Sequence, residues 1–168
     1  MAMIAARSSA AGGYVSADFR DHVIGRNLRP LFRNHDRQNF QIICYAGVVR
    51  PDQLTNEFHE RADLWRNTAG AGDEALAEMI REDGVDILVD LTQHLDGNRL
   101  TVFAHRPAPV QVSFAGYPAS AGVDAIGYRI SDRYLEAGCT SEPREQAARR
   151  STVSTRSGVM IPAGWTCR

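Results

Sequence analysis

Residues 73–91 constrain the fold more than any other stretch. DEALAEMIRE at 73–82 is amphipathic at helical spacing, carries acids in its first turn and stops at Gly84, a good C-terminal cap. It runs straight into VDILVDL at 85–91, the strongest strand of the chain. The same alternation recurs along the chain. Tyr14 to Ser16 reads as the end of a strand, and Asp18 to Phe32 as a loop entering a helix with Ile24, Leu28 and Leu31–Phe32 at helical spacing. FQIICYA at 40–46 is a buried-type strand, and Pro51 to Arg61 a helix with Pro in its first turn. Leu64 to Arg66, Val110 to Phe114 and Tyr128 to Ser131 complete the strands, with a short helix at Arg99 to Ala104. Strands alternating with helices across short loops predict a parallel sheet covered on both faces: an α/β, Rossmann-like domain of about five or six strands.

The ends of the chain carry no such pattern. Residues 1–12 are expected to be poorly ordered, 13–136 to form the Rossmann-like domain, and 137–168 to be a divergent, disordered tail rich in Ser, Thr, Arg, Ala and Gly. Charge divides at the same place: 14 Arg against 18 Asp and Glu before residue 137, and 5 Arg against 2 Glu after it. Every basic residue is Arg, which excludes a Schiff-base or phosphate-loop lysine from this chain. A net charge of −1 gives no footprint for nucleic acid, and no apolar window is long enough to predict a membrane span. Cys44, Cys139 and Cys167 are scattered, which suits a reducing cytoplasm and no disulfide scaffold.

Parallel α/β sheets gather function at the carboxyl ends of their strands. Ser16, Asp18 and His22 follow the first strand; Asp90, Thr92, Gln93 and His94 follow the 85–91 strand; Gly116, Tyr117, Pro118, Ser120 and Gly122 follow the 110–114 strand. His22, at the start of a helix, can act as a general base or hydrogen-bond a ligand, and His94 has the same potential. The alternative for each is local capping or packing. The GYPASAG loop at 116–122 either connects elements at the surface or turns backbone amides towards a ligand. His35, His59 and His105 are expected on solvated surfaces. No His pair has metal-ligand spacing, so no metal is expected, and no Gly-rich phosphate motif is present.

Four segments together, GYVSADFRDH at 13–22, DGVDILVDLTQHLDGNR at 83–99, RPAPVQVSFAGYP at 106–118 and YRISD at 128–132, resemble the protein O-GlcNAc transferase (SPINDLY-type) family. The resemblance runs from Gly13 to Leu135. It implies one lobe, the N-terminal catalytic one, of a two-lobed GT-B glycosyltransferase. Such enzymes move N-acetylglucosamine from UDP-N-acetylglucosamine to Ser or Thr hydroxyls of proteins, usually behind tetratricopeptide repeats. His22 matches the family's D-F-x-x-H histidine at the sugar site, with a base or orienting role. The GYP loop, Gly116, Tyr117 and Pro118, matches the loop that contacts the donor; His94 and Ser120 are expected to join it in binding donor or acceptor. No cofactor is implied, since the UDP-sugar is a substrate. The UDP-gripping second lobe and the repeats lie outside the resemblance, so the isolated chain is expected to be inactive. The competing expectation is a non-catalytic α/β scaffold derived from the same family. Gln93 departs from the family, standing where Gly is common before His94.

Overall fold

The structure, a computed structural model, describes residues 9–116 and 120–132, and the backbone of 149–153, 155–156 and 159–160. Strands β1 (Ala10–Ser16), β2 (Phe40–Ala46), β3 (Leu64–Asn67), β4 (Ile87–Asp90), β5 (Val110–Ser113), β6 (Tyr128–Asp132) and β7 (Arg149–Val153) form one sheet. Its order is β3-β2-β1-β4-β5-β6-β7, and every neighbouring pair is parallel. The first six strands follow the doubly wound order, with the reversal between β1 and β4. Helices α1 (Val23–Arg33), α2 (Gln53–Arg61), α3 (Asp73–Glu82) and α4 (Leu100–Ala104) supply the crossovers.

Each face of the sheet has its own core. On one, Ile24, Leu28 and Phe32 of α1 and Phe58 of α2 pack on Tyr14, Ile42, Cys44 and Val89. On the other, Leu76, Ala77 and Ile80 of α3 and Val102 and Phe103 of α4 pack on Val15, Ile43, Tyr45 and Leu88. The first core is aromatic: Phe32 meets Tyr14, Phe19 and Phe58 at ring-centroid distances of 5.1, 5.9 and 5.0 Å. Tilted and edge-on geometries suit the ring quadrupoles.

Several expectations need correction. β1 begins at Ala10, so Ala10–Gly12 belong to the central strand and not to a loose end. Crowding is tight one residue further on. A Cβ on the next residue, Gly13, would lie 3.0 Å from both Leu88 Cδ1 and Val85 Cγ1 and 3.2 Å from Tyr45 Cε2. Pro51 precedes α2 and does not sit in its first turn; Asp52 is the N-cap, and a capping box joins its carboxylate to the Thr55 N–H. The tail was expected to hold no packed element, yet the backbone of β7 extends the sheet in register from Tyr128–Arg149 to Asp132–Val153. Strand ladders are made by backbone groups, so an edge strand such as RRSTV needs no apolar alternation. Residues 133–148 lie outside the described residues.

His35 is also corrected: it is half-buried, edge-on to the Tyr14 ring, and its Nε2 stands 2.8 Å from the buried Tyr14 hydroxyl. Burial lowers its pKa, which Asp36 and Asp63 oppose and Arg37 favours. Burial also drives the Tyr14 hydroxyl far above its usual value, so the phenol stays protonated and shares a hydrogen bond with the imidazole. The folded state therefore binds fewer protons at His35 than the unfolded state, and stability falls as pH drops below about 6.5. Urea unfolding at pH 7.5 and 5.5 should show this loss, and His35→Phe should flatten it. An equal loss in the variant would assign the acid sensitivity elsewhere.

Candidate functional site

The strand order reverses between β1 and β4, and open α/β sheets bind ligands outside the carboxyl ends of the strands at such a reversal. Three loops meet there. Ser16 ends β1, and its Oγ accepts from the Asp18 N–H at 2.9 Å and lies 3.2 Å from Thr92 Oγ1 in the loop after β4. Gly97, in that same loop, approaches Ala17 so closely that a Cβ on it would stand 2.9 Å from the Ala17 Cβ. From β5, Gly116 presses on the Thr92 backbone; a Cβ there would come within 2.9 Å of Thr92 C and O. Gly is required at that contact.

Asp90 shapes the middle loop. It is fully buried at the end of β4, and its carboxylate accepts the N–H groups of Thr92 and Gln93 at 3.1–3.2 Å. Burial raises its pKa, while those N–H bonds and His94 pull the other way. The turn it closes puts Gln93 at φ 48°, the left-handed region. Gly would adopt that conformation without steric cost, whereas Gln93 holds it at a cost.

His22 is the N-cap of α1. Its Nδ1 lies 3.3 Å from the Ile24 nitrogen and 3.5 Å from Asp18 Oδ1. One ring nitrogen cannot accept from the first and donate to the second at once. Accepting from Ile24 puts the proton on Nε2 and makes His22 a donor to a ligand. Donating to Asp18 leaves the Nε2 lone pair free, the tautomer a general base requires. Asp18 is buried and also receives Arg20 Nη2 at 3.1 Å, so its carboxylate is fixed beside the ring.

His94 is exposed, and its Nε2 stands 3.0 Å from the Ser120 carbonyl. A carbonyl only accepts, so the proton is on Nε2 and Nδ1 carries the lone pair. The Ser120 hydroxyl accepts from the Gly122 N–H at 3.2 Å and holds this turn.

The structure thus brings His94, Ser120 and Gly116 together, and links His22 to the same edge through Asp18, Ser16 and Thr92. Tyr117 and Pro118 lie outside the described residues. The sequence grouped Asp18 with His22 after the first strand, but their contact is seen only in the structure. It also missed Arg99, which donates to the carbonyls of Thr68 and Ala71 at 3.1 and 2.9 Å and to Asp73 at 2.7 Å. Arg99 thereby ties the loop after β3 to the one carrying His94. No group of three or more His, Cys, Asp or Glu gathers as a metal site among the described residues.

Comparison with known proteins bears on this edge. A family model described as glycosyl transferase family 41 matches residues 4–147, past Leu135 where the motif resemblance stops. The chain is 41% identical over 124 residues to a probable UDP-N-acetylglucosamine–peptide N-acetylglucosaminyltransferase SPINDLY of Solanum lycopersicum, covering 71% of this chain and 13% of that protein. It is 34% identical over 125 residues to a UDP-N-acetylglucosamine–peptide N-acetylglucosaminyltransferase of Caenorhabditis elegans, covering 71% of this chain and 11% of that one. Among solved structures, a mutant of the Thermobaculum terrenum O-GlcNAc transferase superposes with a TM-score of 0.79 at 36% identity, covering 87% of this chain and 28% of that one. The chain therefore spans about an eighth of the curated relatives it matches.

Proposed function

Since the chain belongs to glycosyl transferase family 41, we propose that it supplies one catalytic lobe for transfer of N-acetylglucosamine from UDP-N-acetylglucosamine to Ser or Thr hydroxyls of proteins. The observation that carries this reading is the Asp18–His22 pair at the carboxyl edge, on the motif where the family has its sugar-site histidine. The acceptor hydroxyl oxygen forms the new bond to the anomeric carbon as the bond from that carbon to the UDP oxygen breaks. In the Asp18-paired tautomer, His22 Nε2 takes the hydroxyl proton. The electron pair of the broken bond leaves on UDP, whose diphosphate the family resemblance assigns to a second lobe; stabilising that charge is commonly the largest catalytic contribution. His94 Nδ1 is free to accept from a sugar hydroxyl or amide N–H. The reading places the protein in the cytoplasm, and Cys44, a buried free thiol, is in keeping with that.

The test is a chimera in which residues 9–132 replace the matching lobe of the Thermobaculum terrenum enzyme. Incorporation of labelled N-acetylglucosamine into a protein acceptor is the expected result. A folded chimera without transfer would favour the scaffold alternative.

A further inference from the structure

Well away from the carboxyl edge, the outer face of α1 and α2 carries a cluster of guanidinium groups that the proposed reaction does not use. Arg29 and Arg33 stand one turn apart on α1, and each donates through Nε to one oxygen of Glu57 on α2, both at 2.8 Å. Arg61, one turn along α2 from Glu57, brings its Nε to 3.6 Å from the same carboxylate. That Nε is shielded from solvent and has no hydrogen-bond partner. Arg37 lies alongside, bonded to the Arg61 carbonyl at 2.9 Å and paired with Asp63.

One carboxylate thus serves three guanidiniums, a local charge of +2 on a chain whose net charge is −1. Burial would raise the Glu57 pKa, but the bonds from Arg33 and Arg29 hold it below the usual carboxylate value, so it remains ionised. Like charges held this close repel, and an added anion relieves that repulsion. The donors are also pre-set. Glu57 fixes each guanidinium plane through Nε, and the Nη groups of Arg29 and Arg33 make no hydrogen bond within the described residues. The three side chains are 38–47% exposed. Fixed forks facing solvent lose little entropy on meeting carboxylates.

We infer that this face of α1 and α2 is a docking surface for an acidic, Asp- or Glu-rich peptide segment of a partner protein. Residues 137–168 of this chain hold 5 Arg against 2 Glu, so they are not its complement. A single phosphate would concentrate its charge next to Glu57, whereas spaced carboxylates can meet Arg29, Arg33 and Arg61 separately. About 5–6 Å between Cβ atoms of residues one turn apart matches carboxylates on successive turns or alternate residues of a peptide. Arg33 lies about 16 Å along α1 from His22, so occupancy here leaves the carboxyl edge free.

The test is an NMR titration of the whole chain, read on the arginine Nε–H resonances, with hexaglutamate, inorganic phosphate and hexalysine as separate probes. Hexaglutamate should shift Arg29, Arg33 and Arg61 together, and its affinity should weaken about fivefold or more between ~20 and ~200 mM salt. Arg29→Gln with Arg33→Gln should weaken it at least about tenfold, or 1.4 kcal/mol by the usual conversion. Arg61→Gln, which breaks no hydrogen bond through its Nε, should weaken it about threefold while leaving the thermal midpoint unchanged, so a fold defect in the double variant does not decide the result. Absence of hexaglutamate binding, binding unaffected by Arg61→Gln, or equal shifts with inorganic phosphate would overturn the inference. These outcomes are independent of transfer in the chimera.

Discussion

In the active chimera, His22→Asn is expected to lower turnover by about 10²–10⁴ while leaving the fold intact. Asparagine is chosen because His22 has two duties. Its Nδ1 caps α1 on the Ile24 N–H, and alanine would remove both the cap and the base. Losing a cap costs about 0.5–2 kcal/mol of stability, which would blur the kinetic result. Asparagine is among the best N-cap residues, so it can replace the acceptor but not the titrating ring. A thermal midpoint within a degree or two of the parent, with turnover reduced and acceptor KM little changed, assigns the imidazole to proton transfer. Unchanged turnover would reduce His22 to a cap. Asp18→Asn should then act through His22: an amide cannot hold the Nδ1–H tautomer as a carboxylate does, so the pH profile of turnover should move with it.

Gly25→Ala is expected to destabilise the domain by about 3 kcal/mol or more, at or beyond the usual range for overpacking. Gly25 lies in the first turn of α1, and the backbone of the preceding loop folds directly against it. A Cβ would sit 2.1 Å from the Arg20 carbonyl oxygen and 2.8 Å from that of Asp18. Neither atom is the end of a flexible side chain, so relief requires moving the loop that carries Asp18 or tilting the helix that begins at His22. At about 2–4 °C per kcal/mol for a domain of this size, the thermal midpoint should drop by roughly 6–12 °C. Circular dichroism melts measure it directly. A midpoint within 2 °C of the parent would mean that the loop is free to shift, and the close approach would not then fix the Asp18–His22 geometry.

The elements legible in the sequence are those whose side chains do the packing. FQIICYA and VDILVDL are largely buried, so apolar residues stand at adjacent positions in both, and DEALAEMIRE announces its helix by acids at one end and Gly84 at the other. β1 was legible only from Tyr14 onwards, because its first four residues are Ala and Gly, which carry little strand propensity; at Gly13 the crowding from Val85, Leu88 and Tyr45 accounts for the small residue. β7 was illegible because its place is set by backbone pairing. The site was half legible. Position at strand ends picked out His22, His94, Gly116 and Ser120, whereas their partners are set by tertiary placement: Ser16 meets Thr92 across 76 residues of chain. His35 was misjudged for the same reason, since its partner Tyr14 lies in another element.

The central position of β1 has a further consequence for the order of assembly. β1, α1, β2, α2 and β3 form a contiguous half-sheet between residues 10 and 67, held by contacts of short to moderate sequence separation. The other edge of β1 must wait for β4; the bond from Ala11 N to Asp86 spans 75 residues. Non-local pairings of this kind close late, because loop-closure entropy opposes them. Until β4 docks, the half-sheet exposes an unpaired strand edge, the commonest template for pairing with the wrong chain. The strand waiting there begins Ala-Ala-Gly-Gly, which offers little side-chain packing to fix the register of whatever pairs with it. The Gly13 that makes room for Val85, Leu88 and Tyr45 in the finished sheet thus leaves the open edge weakly specified in register until β4 closes it.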